Sequence, residues 1–226
     1  MTPNKAKIDG VKRSKAQARA TYDRISRWYD LLEGVWEKKY RETARRRLNV
    51  KAGEKVLEIG FGPGHELITM AQSVGENGRV FGIDLSPKML HIAQERVKKR
   101  GLADRIDLGL GDAVQLPYET GFLDAIFISF TLELFDTPEI PLVLDECCRV
   151  LRAGGRIDVV SLSKAGGASR MRNLYEWGHV HFPGLLDCRP IYVKKALRHA
   201  GFQILDSTQT SLMGLPVENV LAVKPE

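Results

Sequence analysis

From Lys55 onward, short apolar runs alternate with amphipathic stretches of helical period, and that rhythm admits little besides a parallel sheet wrapped by helices. KVLEIGF (55–61) reads as the first strand and HELITMAQSV (65–74) as the helix after it. RVFGIDLS (79–86) is the second strand, and PKMLHIAQERVKKRG (87–101) a helix opened by Ser86 as N-cap with Pro87 in its first turn. RIDLGLGDA (105–113) and FLDAIFISF (122–130) are strands three and four. EIPLVLDECCRVLR (139–152) is a helix stopped by Gly154 and Gly155, and GRIDVVSLS (155–163) is strand five. The rhythm breaks at about 164–189, a loop-rich insertion, before the short helix PIYVKKALRHAG (190–201). FQILDSTQTSL (202–212) and VENVLAVKP (217–225) are separated only by residues 213–216, a link that suits an antiparallel hairpin and not a crossover. The expected fold class is α/β: a seven-stranded Rossmann-like sheet, five parallel strands plus an antiparallel C-terminal hairpin, with helices on both faces.

Ahead of this domain the texture differs. Residues 1–51 hold 15 Lys/Arg against 6 Asp/Glu, whereas the rest of the chain holds 19 against 22. Ile25, Trp28, Tyr29, Leu32, Trp36 and Tyr40 recur at helical intervals, giving a basic helical segment with an apolar face. The division expected is 1–50 as a basic helical N-terminal segment or lid, and 51–226 as the ligand-binding domain with a substrate-cap insertion at about 164–189. The first residues, MTPNKAKIDGVKRSK, lack the apolar core of a secretory signal, and no apolar run approaches the ~20 residues of a membrane span. A cytoplasmic location is expected, with peripheral contact to an anionic membrane through residues 1–50 as an additional partner surface. Cys147, Cys148 and Cys188 have neither a disulfide nor a metal spacing, so they read as reduced packing residues and no metal is expected.

Strand one ends in Glu58-Ile59-Gly60-Phe61-Gly62-Pro63-Gly64 and leads directly into a helix. Glycines at such a turn let a ligand approach the backbone, and the helix N-terminus offers free N–H groups. A dinucleotide fingerprint wants G-x-G-x-x-G, but His65 stands where the third glycine would fall. The pattern is instead G-x-G-x-G with an acid two residues before it, and no P-loop sequence occurs. Asp84 closes strand two, where a carboxylate can accept from both hydroxyls of a ribose. Gly111-Asp112-Ala113 closes strand three, where Asp112 can receive the exocyclic amine of adenine. All three strand ends converge on one crevice.

VLEIGFGPG, VFGIDLSPKML, GDAVQLPYETGFLDAIFISF and CRVLRAGGRI, taken in order, resemble the successive motifs of class I S-adenosylmethionine-dependent methyltransferases. YDRISRWYDLLEG (22–34) before them resembles the ubiquinone/menaquinone-biosynthesis C-methyltransferases and their small-molecule relatives. The resemblance implies S-adenosyl-L-methionine as cofactor. It implies that Glu58, Gly60, Phe61, Gly62 and Gly64 surround its methionine part and that Asp84 holds the ribose. Leu85 and Met89 would flank the adenine, Gly111, Asp112 and Ala113 would mark its edge, and Phe130 would line the path to the sulfonium. Tyr22 and Tyr29 would close the cofactor from above. The chain departs from the quinone enzymes after strand four, where it reads Thr131-Leu132-Glu133-Leu134 in place of their G-L/I-R-N.

A small, apolar or lipid-like acceptor of the quinone-precursor type is the expected substrate. The alternatives are phospholipid-amine N-methylation at a membrane surface and an adenosyl-ligand-binding protein without catalysis. Nucleic acid is not an expected partner, because no N-P-P-Y-type motif follows strand four and no RNA-binding module is visible. Tyr175, His179 and His181 in the insertion are candidate catalytic bases, since His titrates near neutrality and His179 and His181 share a face of an extended segment. Arg170, Arg172 and Arg189 are candidates to grip an acidic headgroup or, alternatively, only to solvate the loop at the surface. If the aromatic helix is a lid, hydrogen exchange across residues 20–48 should slow when S-adenosylmethionine is added; identical protection with and without it would count against a lid.

Overall fold

A computed structural model describes residues 39–165, 189–212 and 214–226. Seven strands form one sheet: β1 (Lys55–Ile59), β2 (Arg79–Asp84), β3 (Ile106–Leu110), β4 (Leu123–Ser129), β5 (Leu151–Leu162), β6 (Gln203–Leu212) and β7 (Leu215–Val223). Their order is β3-β2-β1-β4-β5-β7-β6. The helices are α1 (helical over residues 39–48), α2 (His65–Val74), α3 (Pro87–Lys99), α4 (Glu139–Val150) and α5 (Val193–His199), with a 3-10 turn at Leu132–Leu134.

The central strands are apolar along nearly their whole length because both sheet faces are covered. Val56, Ala125 and Phe127 face one core, with Leu67 and Met70 of α2 and Val97 of α3. Leu57, Ile126 and Ile128 face the other, with Val143 and Leu144 of α4 and Leu197 of α5. The crossovers therefore lie on opposite faces for the β1–β2–β3 half and the β4–β5 half. The strand order reverses between β1 and β4, and ligands bind such folds outside the carboxyl ends at this switch point.

Ser86 caps α3 as the sequence predicts, accepting from the amide of Met89 at 3.1 Å. One other expectation changes. The helix over 139–152 ends at Val150, and β5 begins at once with Leu151, so Gly154 and Gly155 do not stop the helix. Leu151 is fully buried and pairs with Leu123, so sheet pairing captures it before the glycines are reached. The register shifts between Leu123 and Ala125, and the glycines form the resulting excursion, with Gly154 at φ +68 and its amide donating to Lys224 O at 3.0 Å. The C-terminal hairpin forms as expected, but its second strand inserts: β7 lies antiparallel between β5 and β6. β6 becomes the edge, and its sequence QILDSTQTSL is correspondingly polar and largely exposed.

α1 belongs to the packed body. Ala44 and Leu48 are fully buried in the α2/α3-side core. Arg156 on β5 ties the end of α1 to the loop before β1: Nε donates to Leu48 O at 2.9 Å, while Nη1 and Nη2 form a fork to Glu54 at 3.0 and 2.8 Å. A lysine would keep the charge and lose the fork. Arg156→Lys is expected to lower stability by about 1 kcal/mol, read as a lower urea midpoint with an unchanged slope. Cys147 is buried on the inner face of α4, and neither it nor Cys148 is in a disulfide.

Candidate active site

The crevice is built from the chain turns that follow β1, β2, β3 and β4. After Ile59 the backbone turns through three left-handed glycines, Gly60 (φ +71), Gly62 (φ +50) and Gly64 (φ +79). Each glycine has a different reason to be there. A Cβ on Gly60 would lie 2.3 Å from Thr131 Oγ1, so the turn after β1 is pressed against the turn after β4. On Gly64 it would meet Ala93 Cβ at 3.0 Å, which sets the approach of α3. On Gly62 it would meet nothing within 4 Å, so this position opens onto free space. Gly64 is also the N-cap of α2 and supplies no side-chain cap, and of the first-turn amides that of Leu67 is directed to Glu58.

Hydrogen bonds tie the strand ends together. Gly60 N donates to Ile83 O at 2.8 Å, and Gly111 N donates to Asp84 O at 2.9 Å. Asp84 Oδ2 accepts from Gly62 N at 2.9 Å, and its Oδ1 accepts from Ser86 N at 2.9 Å. The carboxylate thus braces the glycine turn from the neighbouring strand. Leu85 is half-buried beside it, and Met89 is buried at the start of α3. Asp112 Oδ1 accepts from Val114 N at 3.2 Å, holding the loop after β3, and Ala113 is buried.

Glu58, on β1 two residues before the first glycine, is 4% exposed. Burial, then the nearby Glu66, raise its carboxyl well above the usual range; Arg41 opposes this, Asp84 adds to it, and the Leu67 amide favours the anion. Its Oε2 has no hydrogen-bond partner among the described residues. A buried carboxylate oxygen without a donor is costly, and a cationic ligand group would relieve that cost.

The structure therefore brings together Glu58, Gly60, Gly62, Gly64, Asp84 and Gly111. Leu85 and Asp112 follow them in the chain half-buried, and Met89 and Ala113 are buried. The side chains of Phe61 and Phe130 pack in the α2/α3-side core, 3% and 6% exposed. Phe130 nevertheless shapes the crevice through its backbone, which turns at φ +48 while its amide donates to Val160 O at 2.8 Å. Arg189 is buried and donates to Phe135 O at 2.5 Å and Thr137 Oγ1 at 2.9 Å, so it anchors the turn after β4. Tyr22, Tyr29, Arg170, Arg172, Tyr175, His179 and His181 lie outside the described residues.

Three residues enter that sequence reasoning missed. Thr131 abuts Gly60, and Arg96 of α3 donates to Pro63 O at 2.5 Å, clamping the glycine turn. Glu133 is fully buried in the 3-10 turn; an acid inside the apolar run Phe130–Phe135 was its only signal. Among the described residues no group of three His, Cys, Asp or Glu side chains is placed to hold a metal ion. None of their helices is long and apolar enough to cross a membrane.

Residues 56–155 match the family described as a methyltransferase domain. The chain is 36% identical over 138 residues to a demethylmenaquinone methyltransferase of Geobacillus kaustophilus, a match covering 59% of this chain and 58% of that protein. It thus spans less than two thirds of that relative. Among solved structures it superposes on the [4+2]-cyclase SpnF with a TM-score of 0.76 at 20% identity, covering 95% of this chain and 97% of that one. A SAM-dependent methyltransferase from Aquifex aeolicus matches with a TM-score of 0.61 at 22% identity, covering 81% and 89%. At these identities the structural likeness establishes the fold alone.

Proposed function

We propose that this chain, which carries a methyltransferase domain and resembles the menaquinone-biosynthesis branch, is an S-adenosylmethionine-dependent methyltransferase acting on a small quinone-precursor ring. The single observation that carries the cofactor assignment is the pairing of an open Gly62 with a buried Glu58 oxygen that lacks a donor. A ligand with an ammonium group beside a carboxylate suits both: Glu58 Oε2 would take the ammonium, and the first-turn amides of α2 the carboxylate. Asp84 would exchange its bond from Gly62 N for ribose hydroxyls, with Leu85 and Met89 against the adenine and Asp112 and Ala113 at its edge.

When bound, S-adenosylmethionine supplies an electrophilic methyl group on a good leaving group. The protein's part is to align the acceptor with it and to exclude water. Phe61 would lie beside the methionine subsite and Phe130 on the acceptor side, with Tyr22 and Tyr29 as closing rings and Tyr175, His179 and His181 as acceptor-side groups. The relatives act on demethylmenaquinone by name, and the match to them favours a ring acceptor here. Peripheral membrane contact through residues 1–50 would bring the crevice to a lipid-soluble acceptor, and co-sedimentation with anionic vesicles at low and high salt measures it.

The test is incubation of the full chain with methyl-labelled S-adenosylmethionine and a short-chain demethylmenaquinol under reducing conditions. Labelled menaquinol and S-adenosylhomocysteine should accumulate together. Cofactor binding without label on the quinol would contradict the acceptor assignment, and label on added phosphatidylethanolamine would replace it with a phospholipid amine.

A further inference from the structure

The cofactor subsites lie over β1, β2 and β3, which leaves the ends of β4 and β5 to the acceptor. That side carries a buried carboxyl group with no assigned work. β4 ends at Ser129, Phe130 turns at φ +48, and Leu132–Leu134 form the 3-10 turn with Glu133 at its centre, 0% exposed. Glu133 Oε1 accepts from Leu162 N at 3.2 Å, continuing the β4·β5 ladder beyond its last register pair, Ser129 with Val160. One oxygen suffices for that structural bond. The other, Oε2, has no hydrogen-bond partner among the described residues.

Its setting is polar where a core would ordinarily be apolar. Ser161 and Ser163 at the end of β5 are fully buried, and Ser163 Oγ donates to Glu218 of β7, itself 2% exposed, at 3.2 Å. Its own amide, the Leu162 amide and the Ser161 hydroxyl favour the Glu133 anion, and Arg189 adds a smaller attraction from a distance. Burial outweighs these influences and pushes the Glu133 carboxyl up to about 7. Two residues earlier, Thr131 presses on Gly60, so the glycine turn and the Glu133 turn are adjacent parts of one crevice wall. An apolar residue here would avoid the desolvation cost of the acid but would leave Leu162 N without this acceptor, so one oxygen has a structural role and the second does not share it.

Resting on the methyltransferase reading above, we propose that Glu133 Oε2 is the proton acceptor for the methyl-accepting substrate, and that the substrate presents a ring hydroxyl to it. The hydroxyl O–H bond breaks and its proton passes to Oε2. The freed electron pair flows through the ring to the carbon that bonds the methyl group, and the pair of the broken sulfur–methyl bond stays on the thioether. The ring C–H proton is then released to water while Glu133 returns its proton to the oxygen, restoring the aromatic hydroxyl. The net products are methylated ring, thioether and one proton.

E133Q tests this. The glutamine keeps an acceptor for Leu162 N and cannot take a proton. Its S-adenosylmethionine affinity should stay within twofold of wild type, while kcat on short-chain demethylmenaquinol falls roughly 100-fold or more with KM little changed. The wild-type rate should rise with pH through a midpoint near 7, and that limb should vanish in E133Q. In cofactor-free wild type, the infrared carboxylic-acid band absent from E133Q should titrate with the same midpoint. An active wild type beside an E133Q with similar kcat and the same pH limb overturns the assignment and points to a histidine. If E133Q does not fold, a wild-type rate that is flat through neutral pH overturns it equally. A wild type that binds no S-adenosylmethionine fails before Glu133 is reached, and removes the methyltransferase reading with it.

Discussion

Gly60→Ala is expected to abolish measurable S-adenosylmethionine binding and to lower the stability of the fold together. The new methyl would sit 2.3 Å from Thr131 Oγ1, 2.4 Å from its Cγ2 and 2.8 Å from its Cβ. Thr131 is held by its own hydroxyl bond to Ser129 O at 2.9 Å, so relief requires moving the turn after β4. Overpacking of this kind costs roughly 1–3 kcal/mol, and the left-handed backbone at φ +71 adds about 1–2 kcal/mol for an alanine. The Gly60 amide bond to Ile83 O would be strained in the same movement. Gly62→Ala separates ligand approach from packing, because its Cβ meets nothing within 4 Å. It should fold with only the backbone penalty yet still bind poorly, since the methyl occupies space assigned to the cofactor. Thermal melts and calorimetric titrations of the two variants check this. A Gly62→Ala protein with wild-type affinity would move the cofactor off the glycine turn.

Asp84→Ala is expected to weaken S-adenosylmethionine binding by roughly 1–3 kcal/mol, about tenfold to a hundredfold or more. The ribose hydroxyls lose a charged acceptor, and the crevice loses its brace: both Asp84 oxygens hold backbone amides, those of Gly62 and Ser86, each at 2.9 Å. Asp84→Asn retains one acceptor oxygen and should lie between the two. Unchanged affinity in the alanine variant would show that the strand-two carboxylate is only structural.

Much of this was legible because it is local. The alternation of short apolar runs with amphipathic stretches placed every strand and α-helix of residues 55–150 to within a few residues, and Ser86-Pro87 marked the start of α3. The glycine spacing and the acids at three strand ends located the crevice, because strand ends converge in any fold of this kind. What failed to show depends on partners distant in sequence. Nothing in ECCRVLRAGG tells that Leu151 will pair with Leu123 and end the helix early. Nothing in the hairpin tells that β7 will insert beside β5. Arg189 read as a surface cation because its acceptors, Phe135 O and Thr137 Oγ1, come from a turn some fifty residues earlier. Glu133 was passed over because its burial follows from the Phe130 turn and the end of β5, neither of which its neighbours announce.

Calorimetric titration of the full chain with S-adenosylmethionine, and separately with NAD, tests the central claim most directly. Saturable one-site binding of S-adenosylmethionine, lost in Gly60→Ala and weakened in Asp84→Ala, is the predicted result, with no heat from NAD. Tight NAD binding, or no S-adenosylmethionine binding by the folded wild type, would contradict it.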